Sequence, residues 1–195
     1  DVKFDKKTGK DIAKRWDAIM AVTNLYLPAQ ASNCRTHGAG ILRNFCSCDS
    51  VRTRIIRYLV KKVPLSPGVL LIQLLGDGNT LAARTHACAA LGNLASTPQY
   101  ARVLCNYGGG KAVQLVANVL YAEPRVHADK LFATESKLSA ITTLSLLACD
   151  DECAKEVLES GALVQVSPCL SSRTPANLRL AAAKCLHNLS SFASG

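Results

Sequence analysis

The chain has 195 residues, of which 49% are hydrophobic and 5% aromatic, and its formal net charge is +9. This length allows one domain or one uninterrupted solenoid, and no apolar run approaches the ~18 residues that a membrane span requires. The core must be built from Leu, Ala, Val and Cys, and such side chains favour closely packed helices over a β-sandwich.

The positive charge is concentrated at the beginning of the chain. Residues 1–62 hold 13 Lys or Arg against 5 Asp or Glu, whereas residues 63–195 hold 10 against 9. We interpret residues 1–29 as a basic N-terminal segment with one helix, Asp11–Leu27, the second or last helix of a partial repeat. Such a surface suits an acidic protein, a nucleic acid or an anionic lipid. Aromatic residues do not interleave with the basic ones, so a nucleic acid is the least favoured partner.

The same polar residues recur in two stretches rich in Ala and Leu. RTHGAGILRNFCS and RTHACAALGNLAS carry Arg, Thr, His, Leu and Asn at equal offsets, and we take Asn44 and Asn93 as their reference positions. Two further copies, KLSAITTLSLLACD and NLRLAAAKCLHNLSS, place Leu146 and Asn188 there. A polar break, a short amphipathic stretch, a Gly and a second apolar stretch follow each of the first three. The chain is therefore predicted to repeat units of two short helices and one longer third helix.

Local signals support helices in these units. Pro98 and Pro175 stand where a helix is expected to begin. The extra length of the first two units falls in residues 61–67 and 121–135, which contain Pro and are predicted to be surface insertions. One helical stripe in the third copy has apolar residues at steps of three: Leu138, Ile141, Leu144 and Leu147.

These units resemble the armadillo repeat. GAGILRNF, ACAALGNLA and AAKCLHNLS are similar to its third-helix signature, and ESGALVQVSPCL is similar to its second helix. The resemblance covers residues 30–195, about three repeats plus the start of a further one, and predicts a piece of a longer chain. It implies an all-α fold, a right-handed superhelical α-solenoid of three-helix repeats, with HEAT-type helical pairs as the nearest alternative.

The resemblance also implies a binding site. In armadillo proteins the third helices line a concave groove, and Asn44, Asn93 and Asn188 correspond to the ladder of amides that pairs with the backbone of an extended peptide. Leu146 leaves a gap in this ladder.

A histidine and an arginine also recur at fixed distances before the reference positions. His37 and His86 stand seven residues before them, about two helical turns, so we expect both histidines to face the same groove. Arg35 and Arg84 stand nine residues before them and are predicted to point away.

The resemblance narrows the partner. Importin-α-type proteins carry a Trp four residues before each Asn, but here those positions are Gly40, Ala89, Thr142 and Lys184. An extended or acidic protein segment, as in β-catenin-like proteins, therefore fits better than a basic import signal. A basic patch on one short helix and its loop could contact such a partner: Arg52, Arg54, Arg57, Lys61 and Lys62.

Other chemistry is not supported by the sequence. Cys34, His37, Cys46 and Cys48 lie too far apart along a helix to converge on zinc, and GGGK lacks the spacing of a phosphate loop. We expect no metal, no cofactor and no catalytic site. The nine cysteines are odd in number and lie mostly in helical apolar patterns, which predicts free thiols in a reducing, cytoplasmic compartment.

Two functions are favoured over a nucleic-acid-binding helical repeat and over a regulatory segment of a longer enzyme. The first is a non-catalytic interaction scaffold that grips a partner segment in its groove. The second is a structural subunit of a multi-subunit complex, such as a cytoskeletal or ciliary assembly, held through its solenoid faces and basic first third. The last repeat pattern predicts that further chain or a partner covers Leu180, Ala183, Leu186 and Leu189.

Overall fold

The structure is a computed structural model that describes residues 16–23, 31–122 and 127–193. Within these ranges every regular element is helical, and no strand occurs. Residues 16–23 form α1, so this part of the helix predicted at Asp11–Leu27 is confirmed, and the remainder lies outside the described residues.

The helices after α1 follow the predicted order, in which two shorter helices precede one longer third helix. They are α2 (Ser32–Phe45), α3 (Asp49–Val60), α4 (Pro67–Leu74), α5 (Leu81–Leu94), α6 (Pro98–Asn106), α7 (Lys111–Leu120), α8 (His127–Leu147), α9 (Asp151–Glu159), α10 (Leu163–Val166) with a 3-10 turn (Ser167–Leu170), and α11 (Ala176–Ala193).

Helices of the same rank pack side by side. The third helices α2, α5, α8 and α11 contact one another in succession, and the first helices α3, α6 and α9 do the same. The all-helical fold is thus confirmed for the described residues, in units of α3–α5, α6–α8 and α9–α11. Because each unit buries its apolar side against its neighbours, the core runs continuously through all of them.

Side-chain caps fix where several helices begin. The hydroxyl of Thr80 accepts from the backbone N–H of Ala83, and the hydroxyl of Thr97 accepts from that of Tyr100. Pro98 is the first residue of α6, as predicted, because proline lacks the N–H that a first turn leaves unpaired anyway.

One predicted insertion has a different structure. Residues 127–135 form the first turns of α8 and are not a separate surface segment; residues 123–126 lie outside the described residues. Phe132 and Glu135, in these turns, contact side chains of neighbouring third helices. Tertiary contacts thus lengthen this third helix beyond the repeat pattern.

The prediction that all nine cysteines are free thiols is wrong for two of them. Cys105 of α6 and Cys153 of α9 form a disulfide, with their Cα atoms 5.7 Å apart. The packing of consecutive first helices brings together two cysteines that are 48 residues apart in sequence. Burial raises the pKa of the Cys46 and Cys88 thiols to about 12, so these two remain neutral packing residues.

Of the four apolar side chains in the last unit that were expected to need a cover, not all are exposed. Leu180 and Ala183 are exposed and Leu186 is half-buried, but Leu189 is buried within the unit itself. The expectation that all four need a cover is therefore wrong for Leu189. Among the described helices, none has the combination of length and apolarity that crossing a membrane demands.

Candidate binding face on the third helices

Two of the predicted ladder residues make the same bond to the preceding unit. The side-chain N–H of Asn93 donates to the backbone carbonyl of Arg43 at 3.2 Å, and that of Asn188 donates to the carbonyl of Ser145 at 2.8 Å. Each carbonyl belongs to the residue just before the reference position of the preceding third helix. Asn44 is exposed, whereas Asn93 and Asn188 are half-buried.

The ends of the third helices explain why these carbonyls need a donor. In a continuing α-helix the carbonyl of Arg43 would accept from the backbone N–H of Ser47, but that N–H donates to Asn44. At the end of α8 the N–H of Cys149 likewise donates to Leu146. The amide of the following unit supplies the missing N–H, and its oxygen stays outside this bond.

The gap at Leu146 has a structural substitute. The hydroxyl of Thr143 on α8 donates to the carbonyl of Cys88 on α5 at 2.8 Å. Gly92 makes the approach possible, because a Cβ there would lie 2.8 Å from the Thr143 hydroxyl and 3.7 Å from a Leu146 methyl. The α5–α8 contact thus uses a hydroxyl and a glycine where the other contacts use an amide.

His86 lies in a polar network that spans three third helices. Arg43 of α2 is 3.1 Å from the Glu135 carboxylate of α8 and 3.4 Å from Nδ1 of His86 on α5. The ring of His86 also meets Phe132 edge-on, with centroids 6.0 Å apart. Burial, with the charges of Arg43 and His37, lowers the pKa of His86, and Glu135 opposes them. The three helices therefore bring these side chains together, and a role of His86 in a groove stays a prediction.

An open groove lies on the same set of helices, between α8 and α11. Its volume is about 290 Å³. Leu146 lines it in place of an amide, Leu180 is 57% exposed, and Lys184 is exposed beside them. The remaining lining residues are Leu138, Thr142, Ser145, Asn177 and Ala181.

Two of the five residues in the predicted basic patch are held by other parts of the chain. Arg52 donates to the carbonyls of Cys46 and Ser47 and pairs with Asp49, so it holds the turn before α3. Arg54 lies over the ring of Trp16, 4.4 Å from its centroid.

The three remaining residues of the patch, Arg57, Lys61 and Lys62, are exposed. The sequence alone could not separate these three residues from Arg52 and Arg54. The partner of Arg54 lies on a different helix, and Arg52 binds backbone carbonyls.

Arg35 and Arg84 stand at the same offset before their reference positions but differ in burial. Arg84 is 5% exposed and pairs with Asp77 at 3.0 Å, while Arg35 is half-buried. The hydroxyls of Thr36 and Thr80 lie 2.8 Å apart between α2 and the start of α5. Arg84 is therefore held in an ion pair within its own unit, and the bond between Thr36 and Thr80 joins neighbouring units.

No family model matches the chain, and neither does any curated protein. Similar solved structures include two engineered proteins from the Northeast Structural Genomics Consortium. The first has a TM-score of 0.67 at 19% identity over 89% of this chain and 63% of its own length. The second has a TM-score of 0.68 at 20% identity over 89% of this chain and 38% of its own length. The chain thus shares a fold with parts of larger proteins, and this likeness extends to the fold alone.

Proposed function

We propose that the chain is a non-catalytic protein-interaction module, an armadillo-type α-solenoid that binds an extended partner segment along its third helices. The observation that carries this proposal is the open groove between α8 and α11, on the helices that bear the reference positions. A partner segment would cross the third helices there, as the armadillo resemblance implies.

The groove has the chemistry for such a segment. Leu146 and Leu180 offer an apolar surface for one side chain of the partner. Lys184 at the rim suits a carboxylate on a neighbouring residue, and the exposed amide of Asn177 suits a peptide backbone. An extended segment with an apolar and an acidic residue therefore fits better than a basic one.

The amide ladder has two roles in this proposal. The N–H groups of Asn93 and Asn188 hold neighbouring units together, and the amide oxygens remain to accept from a partner. An Asn→Ala change would thus alter stability and binding together. Variants in the groove that leave these bonds intact test binding alone.

A random peptide library selected on the wild-type chain provides the ligands for this test. Fluorescence anisotropy then compares the selected peptides on Leu180→Glu and Lys184→Glu, and on Lys155→Glu, which changes an exposed lysine of α9 that does not line the groove. We expect at least a tenfold loss of affinity in the first two variants and little change in the third. Equal binding by all variants, or no selected peptide, would contradict the proposal.

A structural subunit of a larger assembly is the second candidate, a cytoskeletal or ciliary complex being one example. It is favoured by exposed apolar side chains away from the groove: Val164 on α10 is 68% exposed and Leu170 on the following turn is 46% exposed. Val164→Glu and Leu170→Glu should then break assembly while peptide binding persists. Size-exclusion chromatography of cell extracts would show whether the chain leaves its complex.

A further inference from the structure

A second cleft lies among the first helices. It opens between the C-terminal end of α3, the length of α6 and the turn before α7, with a volume of about 870 Å³. None of its lining residues belongs to a third helix. It is therefore separate from the groove of the proposed function and does not depend on it.

The floor of this cleft is apolar and accessible. Val60, at the end of α3, is 61% exposed, and Val103 and Tyr107 of the neighbouring unit are half-buried opposite it. Gly108 and Gly109 complete the wall with backbone alone. Both adopt the left-handed conformation, with φ of 67° and 64°, which only glycine adopts at low cost.

The rim of the cleft is positive. Lys62 and Lys111 are exposed lining residues, and none of the described residues that line the cleft is Asp or Glu. Arg102 also lines it, but its guanidinium is bound by the buried carboxylate of Asp150 at 2.7 Å. Within the described residues no carboxylate pairs with Lys62 or Lys111, and a ligand with negative charge complements these two lining cations.

Arg57 and Lys61, exposed on α3 and its end, add to this positive field. Lys62 also has a left-handed backbone, with φ of 52°. That conformation is uncommon for residues other than glycine, asparagine and aspartate, yet a lysine stands there.

We propose that this cleft binds an acidic segment of a partner protein that carries an apolar anchor. The anchor packs on Val60, Val103 and Tyr107, and carboxylates on either side of it pair with Lys62 and Lys111. The apolar floor favours a protein segment with an apolar anchor over a lipid headgroup or a phosphate backbone, which are bound through charge and do not need such a floor.

The test uses the full chain and three labelled probes of equal length. The first is an acidic peptide of Glu residues with central Leu and Phe, the second is the same peptide with Ser in place of Leu and Phe, and the third is an oligothymidine. Vesicles with phosphatidylserine form a fourth probe. Anisotropy and co-sedimentation report binding, and circular dichroism at 222 nm confirms that each variant is folded.

Charge-matched variants identify the site. Lys62→Glu/Lys111→Glu should weaken the first peptide at least tenfold, whereas Arg173→Glu/Lys155→Glu, with the same change in net charge at exposed positions that line neither cleft, should change it less than twofold. Val60→Ser should weaken it several-fold without changing charge.

Three results would overturn the proposal. They are no binding of the first peptide, equal loss in both double variants, and equal affinity for the first and second peptides. Stronger binding of the oligothymidine or of the vesicles would assign the charge to a different class of partner. Loss of binding in Lys184→Glu, a variant of the groove between α8 and α11, with no loss in Lys62→Glu/Lys111→Glu would leave the proposed function standing while this inference fails.

Discussion

Replacing Gly92 with alanine sets two opposing effects against each other. Alanine stabilises a helix interior by about 0.8–1.0 kcal/mol relative to glycine. The new Cβ would however lie 2.8 Å from the Thr143 hydroxyl, which is buried and bonded to the Cys88 carbonyl. Overpacking of this kind costs about 1–3 kcal/mol, and loss of the bond costs about 0.5–1.5 kcal/mol more. We expect a net loss of about 2 kcal/mol in the free energy of unfolding.

Gly40 provides a matched control on α2. A Cβ there would lie 3.6 Å from the His86 ring, an ordinary van der Waals distance. Gly40→Ala should therefore show the helical benefit alone, a gain of up to about 1 kcal/mol. Urea denaturation followed by circular dichroism measures both variants, which should differ by about 3 kcal/mol if these two opposing estimates hold.

A double variant tests whether Thr143 is the cause. Thr143→Ala removes the hydroxyl that blocks the new Cβ, so Gly92→Ala should cost less in that background than in the wild type. If Gly92→Ala stabilised the chain as Gly40→Ala does, the close approach of α5 and α8 at Gly92 would be refuted.

Three further changes have expected outcomes. Asn93→Ala should lower the free energy of unfolding by about 1 kcal/mol, since the Arg43 carbonyl loses its donor; Asn93→Asp, which keeps the shape but not the N–H, should lose as much or more in urea denaturation. Cys105→Ser/Cys153→Ser should lower the thermal midpoint and make it insensitive to dithiothreitol, because a crosslink closing a loop of this length contributes about 3–4 kcal/mol. The lowered pKa of His86 means that the unfolded chain binds the proton more tightly, so stability should fall as the pH drops from above the ordinary value of 6.5. Chemical denaturation at pH 7.5 and 5.5 should show a smaller fall for His86→Gln, and an unchanged fall would contradict the burial of this ring.

Helical periodicity and turn residues were enough to predict the repeat units. The third helices α5 and α11 contain the Asn-bearing signatures, and Pro98 begins α6 as expected. These features depend on local sequence, which is why they could be found without a structure. The first turns of α8 could not be predicted in this way, because Phe132 and Glu135 in these turns contact residues of other helices.

The chemistry of the face depended on contacts between units. The bonds of Asn93 and Asn188 join residues about one repeat apart, and the pair of Arg43 and Glu135 joins residues 92 positions apart. The sequence shows Gly92 but gives no reason for a glycine within a helix. That reason appears only when the Thr143 hydroxyl is seen against it.

The most direct test of the proposed binding face is a titration of methyl-labelled chain with a selected peptide, followed by nuclear magnetic resonance. We expect the methyl signals of Leu138, Leu146 and Leu180 to shift with the bound fraction, while the chemical shifts of Val60 and Val103 stay unchanged. Shifts confined to Val60 and Val103, with the three leucines unchanged, would contradict the third-helix face as the binding site and transfer the interaction to the first helices.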